Sequence, residues 1–149
     1  MCVSFEDEDG IWERRTFASH TDNVTITEIK KSSKDSKIDM VISIDDVSSM
    51  KKFGLRDENF MQYKKLVDED GSYIAQAAHY PSYEGSELKN GGYAGVTYVL
   101  NIGGTKGKIL LENTDEKQNV GEEQNPAVKI CGAEAVYLIT KTGRTFNMG

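Results

Sequence analysis

Val96-Thr97-Tyr98-Val99-Leu100-Asn101-Ile102 runs straight into Gly103-Gly104. Val96, Tyr98, Leu100 and Ile102 alternate with Thr97, Val99 and Asn101, a period of two that belongs to a strand and not to a helix. Ile38, Met40, Ile42 and Ile44 repeat the pattern against Asp39, Val41 and Ser43. Residues 24–29, with Val24 and Ile26 between threonines, and residues 12–19, ending Thr16-Phe17-Ala18, read as two further strands. Residues 128–130 and 135–140 flank Cys131-Gly132-Ala133. This spacing predicts a short hairpin whose second strand, apolar on both faces, is central in its sheet.

Turn chemistry separates these runs. Glu8-Asp9-Gly10 and Glu69-Asp70-Gly71 each stand between strand-like segments, and Asp-Gly supplies the positive φ of a hairpin turn. Gly103-Gly104-Thr105-Lys106-Gly107 marks a third reversal, read as a hairpin turn into residues 108–111. Short strands between turns, with no βαβ alternation, predict an all-β antiparallel β-sandwich. Composition agrees: 10 Val, 11 Ile and 10 Thr stand against 7 Leu and 8 Ala. β-Branched side chains suit a pleated sheet and lose rotamer freedom in helices. One exception is expected at residues 46–60, where Val47, Met50 and Phe53 follow a capping Asp45-Asp46 and predict a single helical turn before Gly54.

The chain has 149 residues and a net charge of −6, and it reads as one domain, 1–149, able to bury a core without staples. No apolar run approaches the ~20 residues of a membrane span, and Glu6 follows too soon after Met1 for a signal peptide. The acidic balance argues against nucleic acid, whose binding rests on clustered Lys and Arg. Cys2 and Cys131 lie far apart in sequence and form no zinc or redox motif. Two reduced cysteines are preferred over a disulfide between them.

Most motif readings fail on spacing. The glycine-rich segment has three residues, not four, between Gly103 and Gly107, and Ile109 follows Lys108 where a P-loop needs Ser or Thr. The acidic runs at 6–9 and 68–70 lack the alternation and distal Glu of a calcium loop. His20 and His79 are the only histidines, so no two-histidine metal motif exists, and no metal or cofactor is expected. Ser49-Met50-Lys51-Lys52 fits S-x-x-K without the companion motifs. Asn23-Val24-Thr25 is a formal glycosylation acceptor at the start of a predicted strand.

One loop, residues 79–93, gathers His79, Tyr80, Tyr83, Glu84, Glu87 and Asn90. Aromatic faces pack on sugar C–H faces and carboxylates pair with hydroxyls, so His79, Tyr80, Tyr83 and Glu84, with Trp12, are the candidate carbohydrate contacts. The simpler reading, in which Tyr80 and Tyr83 close the end of the core, is preferred. No residue is assigned a catalytic role: glycoside hydrolysis needs a placed pair of acid and base, and a surface carboxylate such as Glu84 or Glu87 has no such pairing.

The run Glu13-Arg14-Arg15-Thr16-Phe17-Ala18-Ser19-His20-Thr21-Asp22-Asn23-Val24 resembles the Arg-Glu-x-Phe-Ala-Ser-x-x-Asp-x-Val segment of the N-terminal β-domain in the α-L-fucosidase-like glycoside hydrolases, family 95. There it links two strands. Gly95-Val96-Thr97-Tyr98-Val99 through Gly103-Gly104, and Gly132-Ala133-Glu134-Ala135-Val136-Tyr137-Leu138, look like the final strands of the same domain. The resemblance implies a noncatalytic sandwich, a fragment of a larger multidomain chain, that supports a separate (α/α)₆ barrel carrying the hydrolytic groups. Residues 46–60 and 112–125 have no counterpart in that family. The family's domain also has strands before Cys2, so an exposed sheet edge and a homodimer through it are expected. A free-standing carbohydrate-binding module using Trp12, Tyr80 and Tyr83 is the alternative, with oligosaccharide as its partner.

Overall fold

The computed structural model describes residues 1–8, 10–32, 37–44, 63–79, 91–112 and 125–145. These form ten strands: β1 (Cys2–Asp7), β2 (Gly10–Ser19), β3 (Val24–Lys31), β4 (Ile38–Ile42), β5 (Tyr63–Val67), β6 (Tyr73–His79), β7 (Gly92–Ile102), β8 (Thr105–Leu110), β9 (Pro126–Ala133) and β10 (Ala135–Thr145). The helical turn expected at 46–60 lies outside the described residues, among which there is no helix. A seven-stranded sheet has the order β1-β2-β3-β10-β7-β6-β5, and a three-stranded sheet the order β4-β9-β8. All pairings are antiparallel. The chain is thus an all-β antiparallel sandwich.

Pleat parity explains where the core sits. Val67, Ile74, Val99 and Val136 point from the large sheet, and Ile38, Val128, Ile130 and Ala133 from the small one, into one buried cluster. β10 lies between β3 and β7, which gives its apolar character on both faces a reason: it is the middle strand of seven. The small sheet covers only part of the large one. Elsewhere on the same face the threonines pair across strands, Thr16 with Thr27 at 3.0 Å and Thr97 with Thr140 at 2.9 Å. Thr25 and Thr142 beside them are exposed, and hydroxyl-bearing side chains make that uncovered portion inexpensive to leave in water.

Two turn readings hold and two are corrected. Gly10 and Gly71 adopt φ of 126° and 70° in the β1–β2 and β5–β6 hairpins. Residues 128–140, however, are not a hairpin: β9 pairs with β4 and β8, whereas β10 pairs with β3 and β7. Gly132, with φ of 71°, serves a register shift in which Ile38 faces Ala133 but Met40 faces Ile130. The bulge frees the Gly132 N–H, which donates to Asp39 Oδ1 at 2.7 Å, and the chain then crosses between sheets at Glu134. Nor is 103–107 a hairpin turn. Only Gly103-Gly104 reverse the chain, β8 begins at Thr105, and β7 and β8 belong to different sheets. The Glu134 N–H donates to Ile102 O at 2.7 Å, so the two crossovers lie against each other.

The orientation of β7 departs from simple amphipathic logic. Its alternation sets Val96, Tyr98, Leu100 and Ile102 on one face, yet the residue in the core is Val99, at 0% exposure, while Val96 and Ile102 are 43% and 45% exposed. The more apolar face of this central strand therefore points away from the covering sheet.

Candidate functional site

The family-like segment folds as the β2–β3 hairpin. Ser19 ends β2 and its hydroxyl donates to Asp22 Oδ2 at 2.7 Å, while the Asp22 N–H donates back to Ser19 Oγ at 3.4 Å. Asn23 takes the left-handed conformation, φ 54°, that Asn tolerates better than most residues, and Val24 opens β3. Ser19, Asp22 and Asn23 are thus accounted for by the turn. Phe17 is not. It stands on β2 with 56% of its surface exposed, on the face opposite the covering sheet.

The register extends Phe17 into a row. Phe17 faces Ile26, Ile26 faces Ile139, Ile139 faces Tyr98 and Tyr98 faces Tyr73, which crosses β2, β3, β10, β7 and β6. The two tyrosine rings meet at 5.1 Å between centroids, tilted by 48°. Along one side the row is bordered by paired charges. Arg15 lies 3.1 Å from Glu13, and Lys30 lies 2.6 Å from Glu28. The Tyr137 hydroxyl also donates to Glu28, at 2.9 Å.

Lys30 first, and Tyr137 second, hold the Glu28 carboxyl below its ordinary value of 4.5. A pKa depressed in the folded state adds stability that is complete above the ordinary value and is lost as pH falls through the folded one. Glu28→Gln is therefore expected to flatten the acid limb of a stability-against-pH curve. Urea midpoints of both proteins between about pH 6 and about pH 3 check this, and parallel curves would remove Glu28 from the account.

Of the candidate sugar contacts, Trp12 lies on β2, half-buried against the edge of the core. Phe5 on β1 stacks against it at 6.1 Å with an interplanar angle of 5°, and the Lys31 ammonium from β3 sits 4.4 Å from the ring centroid. Since β1 and β3 flank β2, the indole is bracketed from both neighbouring strands, and its N–H donates to Asp7 Oδ2 at 2.8 Å. His79 closes β6 opposite Gly92. Tyr80, Tyr83 and Glu84 lie outside the described residues. Trp12 pairs with Lys31 near the Ala135–Ile102 end of the large sheet, whereas His79 belongs to the Thr145–Gly92 end, with three strands between β2 and β6. Ten residues of strand rise separate those ends, roughly 30 Å, so the fold does not bring Trp12 and His79 together.

No group of three or more His, Cys, Asp or Glu that could hold a metal occurs among the described residues. Cys2 and Cys131 are free and exposed, on strands of different sheets. Lys65 is 8% exposed on the core-facing side of β5, with Asn125 Oδ1 at 3.3 Å. It pairs in register with Gln76, whose Nε2 is buried without a hydrogen bond. Sequence reasoning missed both Lys65 and the outer row. The row was visible only as separate apolar residues on five strands, and nothing short of the register aligns them.

The class defined by these features is an antiparallel β-sandwich domain with one apolar-centred sheet face that no other described strand covers. No protein-family model matches the chain, and no curated protein matches it.

Proposed function

We propose that this chain is a noncatalytic β-sandwich support domain of a carbohydrate-active hydrolase of the α-L-fucosidase-like type, and that it works by docking a sheet face against the helical barrel that carries the chemistry. The observation that supports it is Phe17. The segment resembling family 95 uses Ser19 and Asp22 to lock its turn, but its Phe17 stays 56% exposed and, among the described residues, outside the core cluster. Fully burying such a ring stabilises a contact by about 1.5–3 kcal/mol, which gives the residue a use in an interface that it lacks in the isolated sandwich.

The isolated chain is expected to turn over no aryl α-L-fucoside, and a titration with fucosylated oligosaccharides is expected not to saturate. Turnover abolished by Glu84→Gln would place catalysis in this chain, and saturable glycan binding would favour the free-standing binding module; either result overturns the proposal. Sequencing the native transcript through both flanks is the direct check. Helical repeats with an inward carboxylate in the same frame support the support-domain reading, and a frame without them defeats it.

A further inference from the structure

We infer that the face of the seven-stranded sheet turned away from the three-stranded sheet is the docking surface, and that it takes an amphipathic helical surface whose apolar ridge is flanked by carboxylates. This rests on the reading that the chain acts by docking, and it adds which face does so and the chemistry of what it meets.

The apolar part is the row from Phe17 to Tyr73, widened by the next register row, in which Val96, Ala75 and Leu66 oppose one another. Tyr73 is 49% and Leu66 55% exposed. Five strands at about 4.8 Å and two rows along them make a patch of roughly 20 by 7 Å, about 140 Å². That is short of the ~800 Å² per partner of a stable free-standing complex. It fits the smaller contact between bodies already held together.

Charge selects the occupant. On this face Glu13 and Glu28 are neutralised by Arg15 and Lys30. Pleat parity places Lys141, opposite Val96, and Lys64, opposite Ala77, on the same face. Both are exposed, and neither has an ion pair among the described residues. Arg15, Lys30, Lys64 and Lys141 against Glu6, Glu13 and Glu28 leave this face at +1 on a chain whose net charge is −6, and Glu6 lies on β1, away from the row, whereas both unpaired lysines border it. A second copy would oppose two net-positive faces, whereas carboxylates beside an apolar ridge complement both lysines and raise the encounter rate.

The test uses the whole chain and two synthetic amphipathic helical peptides with one leucine face, flanked by glutamates in one and by lysines in the other. Amide shifts followed by NMR are expected to saturate with the glutamate peptide, to fall on outward positions of β2, β3, β10, β7 and β6, and to report affinity about tenfold above that for the lysine peptide. Added salt should narrow the gap. Lys141→Glu combined with Lys64→Glu should reverse the order of the peptides, and Phe17→Ser should weaken both about fivefold while lowering the melting midpoint only by what one exposed cross-strand pair with Ile26 supplies, because Phe17 is outside the buried core. Equal binding, no saturation with either peptide, shifts on the covered face, or a dimer in sedimentation that Phe17→Ser dissociates would each overturn the inference. The transcript and glycan experiments fail or succeed independently of these peptides, so a failure here is not mistaken for a failure of the support-domain reading.

Discussion

Gly104→Ala is expected to destabilise the sandwich by about 3 kcal/mol or more and to lower its thermal midpoint by roughly 10 °C. Two causes act together. Gly104 has φ of 68°, where an L side chain is strained, and a Cβ there would lie 2.3 Å from Cys131 O, 2.6 Å from Gly132 C and 2.7 Å from Ala133 N. All three atoms are backbone, so no rotamer change relieves the collision. They also belong to the bulge and corner through which β9 leaves the small sheet for β10, while Gly104 belongs to the turn from β7 into β8. The added methyl therefore pushes apart the two chain crossings that join the sheets. Gly103→Ala separates the causes. Its φ is 67°, but the nearest atom to a Cβ is Glu134 Cγ at 3.6 Å, so only the backbone cost of about 1 kcal/mol applies. At Gly107 nothing lies within 4 Å, and alanine there should change stability little. Denaturation midpoints of the three variants must fall in the order Gly104, Gly103, Gly107; equal losses at 104 and 103 would remove the collision from the account.

Local chemistry made the strands legible and left their partners illegible. Period two found β3, β4 and β7, a mixed run ending Thr16-Phe17-Ala18 found β2, and Asp-Gly found two hairpins, because these signals live within ten residues or so of each other. Gly132 misled for a physical reason. A positive φ serves a bulge as well as a reversal, and what distinguishes them here is Asp39, far away in sequence, accepting the freed Gly132 N–H. The same holds at Gly103-Gly104, whose local chemistry is that of a turn but whose flanking strands enter different sheets. On β7, alternation identified two faces without deciding which is covered. That depends on the placement of Val128 and Ile130 from the small sheet over Val99 and Val136, a long-range fact. The candidate site was legible in part. The segment from Glu13 to Val24 pointed to the hairpin, and the outward direction of its Phe17 required register across five strands.

Ile130→Ala should cost about 3–4 kcal/mol, the range for deleting a fully buried branched side chain and leaving part of its cavity unfilled. Ile130 is 0% exposed in the common cluster, whereas its neighbours Lys129 and Cys131 are exposed, so Cys131→Ser is the matched control and should be nearly neutral. The larger consequence concerns how the sheets hold together. Among the described residues no hydrogen-bonded ladder joins β4-β9-β8 to the seven-stranded sheet, so their association rests on the packed layer that Ile130 shares with Val99 and Val136, and on the chain crossings. A small sheet without that layer would leave the inward faces of both sheets in water. The loss should therefore appear as one cooperative transition at lower denaturant, with unchanged slope. Trp12 reports this directly, because the only tryptophan packs at the border of the cluster on the large sheet. Its fluorescence and the far-ultraviolet circular dichroism should trace the same curve in Ile130→Ala as in the parent. A variant in which the dichroism falls first and the tryptophan signal later would mean that the large sheet persists alone, and that its outer row, not the shared core, supplies most of its stability.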